Sequence, residues 1–144
     1  MRALPRVRFR VDFTAQCSVG IGKIQLLEAI ATSGSLSQAA RVLKMSYRRA
    51  WDLLDDLNGS FDLPVVSTSV GGRGGGGAAL TAFGRQLIDE YRAVDAAIQT
   101  LVAAQMRHTV SHASAGSRSQ QARASLTKRK SAASGKRTLL HRAN

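Results

Sequence analysis

The sequence predicts a mainly α-helical domain with a small β-hairpin, in which short helices precede the hairpin and a long helix follows it. Three observations predict this fold class. Apolar residues recur at helical spacing between 23 and 57, a glycine run separates two β-type segments between 65 and 80, and steps of three and four residues continue from 84 to 105. The predicted regions are a lead-in at 1–19, the helices and hairpin at 20–81, a long helix at 82–106 and a disordered basic tail at 107–144.

Positive charge is concentrated at the end of the chain. The 144 residues carry a formal net charge of +12, and the segment from Arg107 onward contains nine Lys/Arg and no Asp/Glu. An excess of this size points to a polyanionic partner, either nucleic acid or an anionic membrane surface. The segment after Met106 has few apolar residues, so it cannot bury enough surface to offset its ordering entropy.

Cysteine content and hydropathy indicate the cellular compartment in which the protein is expected. The single Cys17 can form neither an intrachain disulfide nor a thiolate metal site. Residues 1–10 intersperse arginines among apolar residues and lack the apolar core of a signal peptide. No stretch approaches the ~18 apolar residues that span a bilayer. We expect a cytoplasmic, nucleoid-associated protein with no membrane contact and no cofactor.

The first two predicted elements are a strand and a helix. Apolar residues alternate with charged ones from Arg6 to Phe13, which predicts a strand with one apolar and one charged face. An edge strand with a solvated arginine face is the simpler interpretation, and phosphate contact by these arginines is the alternative. A helix is predicted from about Lys23 to Thr32, ended by Gly34.

Two short helices follow, each with its own start signal. Ser35 and Gln38 have the spacing of a capping box, which predicts a helix from Leu36 to about Leu43. After a turn at Lys44, Ser46 is the predicted N-cap of a helix from Tyr47 to about Leu57. Alanines in the first of these helices allow the second to cross it closely.

The hairpin and the long helix complete the prediction. Val65–Val70 and Ala78–Leu80 are the predicted strands, joined by a Gly71–Gly77 loop, and Thr81 is the predicted cap of the long helix. A seam at steps of three and four indicates a helix that packs lengthwise on a partner. We therefore expect a homodimer through Leu87, Tyr91, Val94, Ile98 and Leu101.

The two short helices and the turn between them have the pattern of a helix-turn-helix. Tyr47, Arg48, Arg49 and Asp52 point outward near the N-terminal end of the second helix, the end that a recognition helix presents to base edges. Glycines let a hairpin wing lie close to the DNA backbone, and Arg73 at its tip could enter a narrow minor groove. A plain helical hairpin with a solvated basic turn, and a flexible glycine linker, remain the alternatives.

No catalytic or metal-binding constellation is predicted. The glycine run lacks the Lys and Ser/Thr of a phosphate-binding P-loop. His108 and His112 are four residues apart, but no helix and no third ligand are expected beside them. Asp55 and Asp56 are adjacent rather than facing, which favours solvated surface over acid/base catalysis. We expect no enzyme activity.

Three motifs in order resemble one known family. Residues 33–40, 46–51 and 71–84 together are similar to the N-terminal DNA-binding domain of molybdate-responsive, ModE-type transcriptional regulators, which has a LysR-like winged helix. The resemblance covers roughly Val7 to Gln105. It implies a winged-helix dimer that binds a palindromic operator, with Ser46, Tyr47, Arg48 and Arg49 at the start of the recognition helix. It also implies that Ser35 and Ser37 lie near phosphates, and we expect Trp51 to pack on the scaffold.

This chain departs from the family pattern in two ways. Family members often have glycine at the turn where this chain has Lys44, and a left-handed lysine costs about 1 kcal/mol. Full-length members also carry C-terminal β-domains that bind molybdate, whereas this chain has a basic polar tail there. We therefore expect a DNA-binding regulator that does not itself bind molybdate. An architectural protein with little sequence preference, or a helix-mediated protein–protein adaptor, are the rival functions.

Overall fold

The computed structural model describes residues 4–70 and 76–113. The first unit ends at Gln105 and contains two antiparallel hairpins and four helices. Its elements are β1 (Arg10–Asp12), β2 (Ser18–Gly20), α1 (Ile21–Ser33), α2 (Leu36–Val42), α3 (Tyr47–Ser60), β3 (Val66–Thr68), β4 (Ala78–Leu80) and α4 (Ala82–Gln105). The predicted mainly α-helical fold with a small hairpin is confirmed.

Local signals set four helix ends where the sequence predicts them. Gly34 ends α1 in the left-handed conformation with φ of 67°, which glycine adopts without a Cβ clash. The hydroxyls of Ser35, Ser46 and Thr81 each accept a hydrogen bond from a backbone N–H three residues later. These three caps fix the starts of α2, α3 and α4.

Helix α1 lies at the centre of the core. Ile24, Leu26, Leu27 and Ile30 are all completely buried, so this helix is covered by neighbours on most of its circumference. The helix begins at Ile21 rather than Lys23, and Gly22 is inside its first turn. Small buried residues let α2 and α3 pack closely together beside it. These are Ala39, Ala40 and Ala50.

The N-terminal segment covers α4. Its predicted alternation is present, since Val7, Phe9 and Val11 are half-buried while the arginines between them are exposed. Regular pairing is limited to β1 against β2, a partner strand that the sequence did not predict. The Phe9 ring stacks on Tyr91 at 4.6 Å, and the Tyr91 hydroxyl donates to the Phe9 carbonyl at 3.0 Å. Burial of the hydroxyl raises the pKa of Tyr91.

A side-chain amide also holds this segment. Gln99 donates from Nε2 to the Val7 carbonyl at 2.7 Å and accepts from the Val7 N–H at 3.1 Å. Nearby, Arg92 on α4 forms a two-pronged ion pair with Glu28 on α1, at 2.7 and 2.8 Å. The hydrogen bonds to Glu28 raise the pKa of the Arg92 guanidinium. Helix α4 is therefore tied to both the N-terminal segment and α1.

These contacts correct the predicted dimer seam. Leu87 and Tyr91 are only 6% and 5% exposed, because they pack into the core of their own domain. The expectation that little else could cover them is wrong, since both belong to the buried core cluster and Phe9 also stacks on Tyr91. Farther along α4, Val94 and Leu101 are exposed and Ile98 is half-buried. Only this second half of the seam is open to a partner.

A second unit begins at Met106 and contains a short helix, α5 (Arg107–His112). The sequence predicted no helix after Met106, so this part of the prediction is wrong. Polar and apolar residues are mixed in α5, and none of its side chains is buried. The rest of the predicted tail, 114–144, lies outside the described residues.

Candidate nucleic-acid interface

Helix α3 has one buried and one exposed face. Ala50, Leu54 and Leu57 are buried at helical spacing, which fixes the helix on the core. Arg48, Asp52 and Asp55 point away from that buried face, by the 3.6-residue period of the helix, and all three are exposed. The predicted outward position of Arg48 at the start of α3 agrees with this arrangement.

Arg49 lies on a different side of α3 from Trp51. By the helical period, Arg49 shares a flank with Asp56, and Asp56 forms an ion pair with Lys23 at the start of α1. Trp51 lies on the opposite flank, together with Asn58. The two arginines are both exposed, but only Arg48 is centred on the outer face.

The turn before α3 is tight and contains a strained residue. Lys44 has φ of 54°, the left-handed conformation that usually favours glycine. Its N–H donates to the Arg41 carbonyl at 3.1 Å, and the Met45 N–H donates to the Ala40 carbonyl at 3.0 Å. The turn thus keeps its left-handed shape despite the lysine, at a cost of about 1 kcal/mol. Met45, the residue after the turn, is half-buried against the core.

This region is strongly basic. Residues 35–51 contain four basic residues and no acidic residue. Neither Arg48 nor Arg49 forms a side-chain hydrogen bond or ion pair within residues 4–70 and 76–113, whereas Arg92 is fully engaged. Free guanidinium groups on an exposed helix start can bind phosphate oxygens or guanine edges.

The two predicted serines of α2 differ in what they can do. The Ser35 hydroxyl is half-buried and accepts from the Gln38 N–H at 3.3 Å, so its first role is to cap the helix. Ser37 is exposed one residue into the helix. Its hydroxyl is placed to donate to an anion outside the domain.

The wing is an antiparallel hairpin fixed at its base. Strands β3 and β4 pair in the register Val66↔Leu80 and Thr68↔Ala78. The Ser69 N–H donates to the Gly77 carbonyl at 2.9 Å, and the Ala78 N–H donates to the Gly34 carbonyl at 2.9 Å. The base of the wing is thereby held to the turn between α1 and α2. The predicted tip residue, Arg73, lies outside the described residues.

Asn58 connects the recognition helix to the wing and was missed by the sequence analysis. Its Oδ1 accepts from the N–H groups of Val65 and Val66 at 2.8 and 3.1 Å. Its Nδ2 donates to the Val66 carbonyl at 3.1 Å. One side chain therefore sets the distance between α3 and β3. No local pattern in the sequence marks Asn58 as a long-range contact.

Trp51 is only partly covered by the rest of the domain, and its expected packing role on the scaffold stays a prediction. Its side chain is 40% exposed and Tyr47 is 53% exposed. The two rings meet edge to face with centroids 6.3 Å apart. A large aromatic surface therefore lies beside the basic face of α3.

The described residues offer neither a metal site nor a membrane-spanning helix. Within residues 4–70 and 76–113, no group of three or more His, Cys, Asp and Glu side chains comes together in the way that a metal ion requires. His108 and His112 both lie on α5. No helix in the described part of the chain is long and apolar enough to cross a membrane.

Comparisons with known proteins agree with this geometry. Residues 21–85 match the family described as bacterial regulatory helix-turn-helix protein, lysR family. The chain is 39% identical over 93 residues to the molybdenum transport protein ModE of Azotobacter vinelandii, covering 65% of this chain and 34% of that protein. It is 42% identical over 84 residues to the molybdenum-pterin-binding protein MopB of Rhodobacter capsulatus, covering 58% of this chain and 31% of that protein.

A third relative is named for DNA binding. The DNA-binding transcriptional dual regulator ModE of Escherichia coli K12 is 45% identical over 69 residues, covering 48% of this chain and 26% of that protein. Among solved structures, MepR, a transcription regulator of the Staphylococcus aureus multidrug efflux pump MepA, aligns with a TM-score of 0.43 and 18% identity over 79% of each chain. The chain spans about a third or less of the length of its ModE and MopB relatives. Residues 21–85 are thus similar to the helix-turn-helix domain of bacterial regulatory proteins of the lysR family and to the corresponding part of the ModE relatives.

Proposed function

We propose that the protein is a homodimeric, sequence-specific transcriptional regulator that acts on the nucleoid in the cytoplasm and catalyses no reaction. The observation that carries the proposal is the outer face of α3. Arg48 is exposed there, opposite the buried residues, and has no side-chain partner in the described part of the chain. The relation to ModE, a DNA-binding transcriptional regulator, supports the same function.

The arrangement of the site suits a major groove. A helix start presented to base edges places Arg48 where a guanidinium can bind guanine O6 and N7 together. Ser37 and the base of the wing lie to one side of it, where hydroxyl and backbone N–H groups can bind phosphates. Asp52, one turn after Arg48, is placed to accept from the amino group of a cytosine.

Arg48→Ala is expected to weaken binding to a preferred duplex by about 1–3 kcal/mol and binding to random DNA by less. The preferred duplex would be selected from random-sequence DNA with the full chain, and affinities measured by fluorescence anisotropy at fixed salt. Arg49→Ala should have a smaller effect because Arg49 lies on the flank of α3.

The matched control for this experiment is Arg8→Ala. It removes the same charge from the N-terminal segment, whose neighbours Val7 and Phe9 are bound to α4. Its effect should be equally small on both DNAs. If Arg48→Ala lost the same affinity on selected and random duplexes, Arg48 would contact phosphates only. If no duplex were enriched at all, a nucleoid-type architectural protein would be the better description.

We infer that the dimer forms through the second half of α4. Val94 is 45% exposed and Leu101 is 59% exposed. They lie seven residues apart on one stripe, with the half-buried Ile98 between them. A second copy of this helix would cover the stripe, as a seam at this spacing requires.

Leu101→Asp is expected to raise the dimer dissociation constant by a hundredfold or more, because burying an unpaired carboxylate costs about 3 kcal/mol or more. Sedimentation equilibrium would measure the constant. Leu63→Asp is the control, since Leu63 is a similarly exposed leucine, at 58%, in the loop after α3. A monomeric parent protein at micromolar concentration would refute the dimer.

A further inference from the structure

Tyr47 and Trp51 form an exposed aromatic pair one helical turn apart on α3. Tyr47 is 53% exposed and Trp51 is 40% exposed, and their mutual contact is through a ring edge. Neither side chain forms a hydrogen bond within the described residues. An exposed tryptophan and tyrosine side by side are costly to leave in water, because each presents a large apolar surface.

The pair lies in a groove with polar walls. One wall is the start of α2, with the hydroxyls of Ser35 and Ser37, and the other is the base of the wing, with the hydroxyls of Thr68 and Ser69. Arg41 also lines the groove. The groove therefore combines an aromatic floor with hydroxyl and cationic groups at its edges.

The charge around the groove determines which partner fits it. All charged side chains in residues 35–51 are positive at pH 7. A polyanion is therefore favoured as the partner over a neutral or basic protein surface. In duplex DNA, the one apolar group on a major-groove base edge is the C5-methyl of thymine. A strand of DNA in this groove would place phosphates at the hydroxyl walls and a base edge at the aromatic floor.

We propose that Trp51, supported by Tyr47, determines sequence preference by binding the C5-methyl of a thymine in each half-site. The indole excludes water from the methyl, and the edge contact from Tyr47 fixes the orientation of the indole. This inference rests on the proposed function, since it assigns a base contact within the same interface. It makes Trp51 a specificity residue beside Arg48, which would read guanine.

The test uses uracil in place of thymine, because uracil differs only in lacking the C5-methyl. A preferred duplex is first selected from random-sequence DNA with the full chain. Each thymine is then replaced singly by uracil, and affinity is measured for the parent and for Trp51→Ala. We expect one thymine in each half-site at which uracil weakens the parent about fourfold, the value of one buried methyl. In Trp51→Ala, that uracil penalty should disappear.

Leu63→Ala is the control, since it removes an exposed apolar side chain outside the groove and should keep the full uracil penalty. Circular dichroism would verify that Trp51→Ala is folded, as expected for an exposed side chain. A uracil penalty that persists in Trp51→Ala, or no penalty at any thymine, would overturn the inference while leaving the regulator intact. Failure to select any preferred duplex would instead reject the proposed function.

Discussion

Gly84→Ala is expected to destabilise the domain by about 3 kcal/mol, the upper part of the range for overpacked sites. A Cβ on Gly84 would overlap the Val65 backbone carbonyl oxygen and lie 3.1 Å from its carbon. That oxygen cannot move freely, because it also accepts from the Thr81 N–H at 3.1 Å. Chemical denaturation followed by circular dichroism would measure the loss.

Gly59→Ala is the control for this prediction. Gly59 lies in the last turn of α3, and an added Cβ would meet nothing within 4 Å. The alanine should therefore stabilise the domain by about 0.5–1 kcal/mol, through its better helix propensity. If Gly84→Ala and Gly59→Ala changed the free energy of unfolding equally, α4 would be able to move away from β3 without a loss of stability.

Asn58→Ala is expected to cost about 3 kcal/mol of stability. The substitution removes three hydrogen bonds to the wing and leaves the buried Val65 N–H without its acceptor. A buried donor that loses its partner costs about 1–3 kcal/mol. DNA affinity should also fall at temperatures where the variant is folded, because the wing is no longer held at a fixed distance from α3.

Asp55→Ala is the control for Asn58→Ala, because Asp55 lies on the same helix, α3. Asp55 is exposed and has no partner among the described residues, so the substitution should change stability by no more than about 0.5 kcal/mol. Amide hydrogen exchange at Val65 and Val66 provides the direct readout. If exchange there were unchanged in Asn58→Ala, other contacts would be holding β3.

The features that the sequence predicted well depend on short-range chemistry. Gly34 ends α1, and Ser35, Ser46 and Thr81 cap the following helices, because each acts on backbone groups within a few residues. The pairing of β3 with β4 follows from the glycine run between them. The outward direction of Arg48 follows from the buried period of α3.

The features that were missed depend on contacts distant in sequence. The seam of α4 has the same spacing whether a second chain or the rest of the same domain covers it, so periodicity alone could not assign Leu87 and Tyr91 to the core. Likewise, Asn58 gives no local sign that β3 will lie against it.

The amide of Gln99 has a consequence for how the chain behaves at high concentration. An extended segment at the surface usually offers unpaired N–H and C=O groups to which another molecule can add a strand. At Val7 both groups are already bound by Gln99. A second extended chain approaching this segment finds the Val7 N–H already used and its carbonyl already bonded, so regular strand pairing is disfavoured at Val7. Gln99 thus makes strand addition to the N-terminal segment, and the aggregation that follows from it, less favourable.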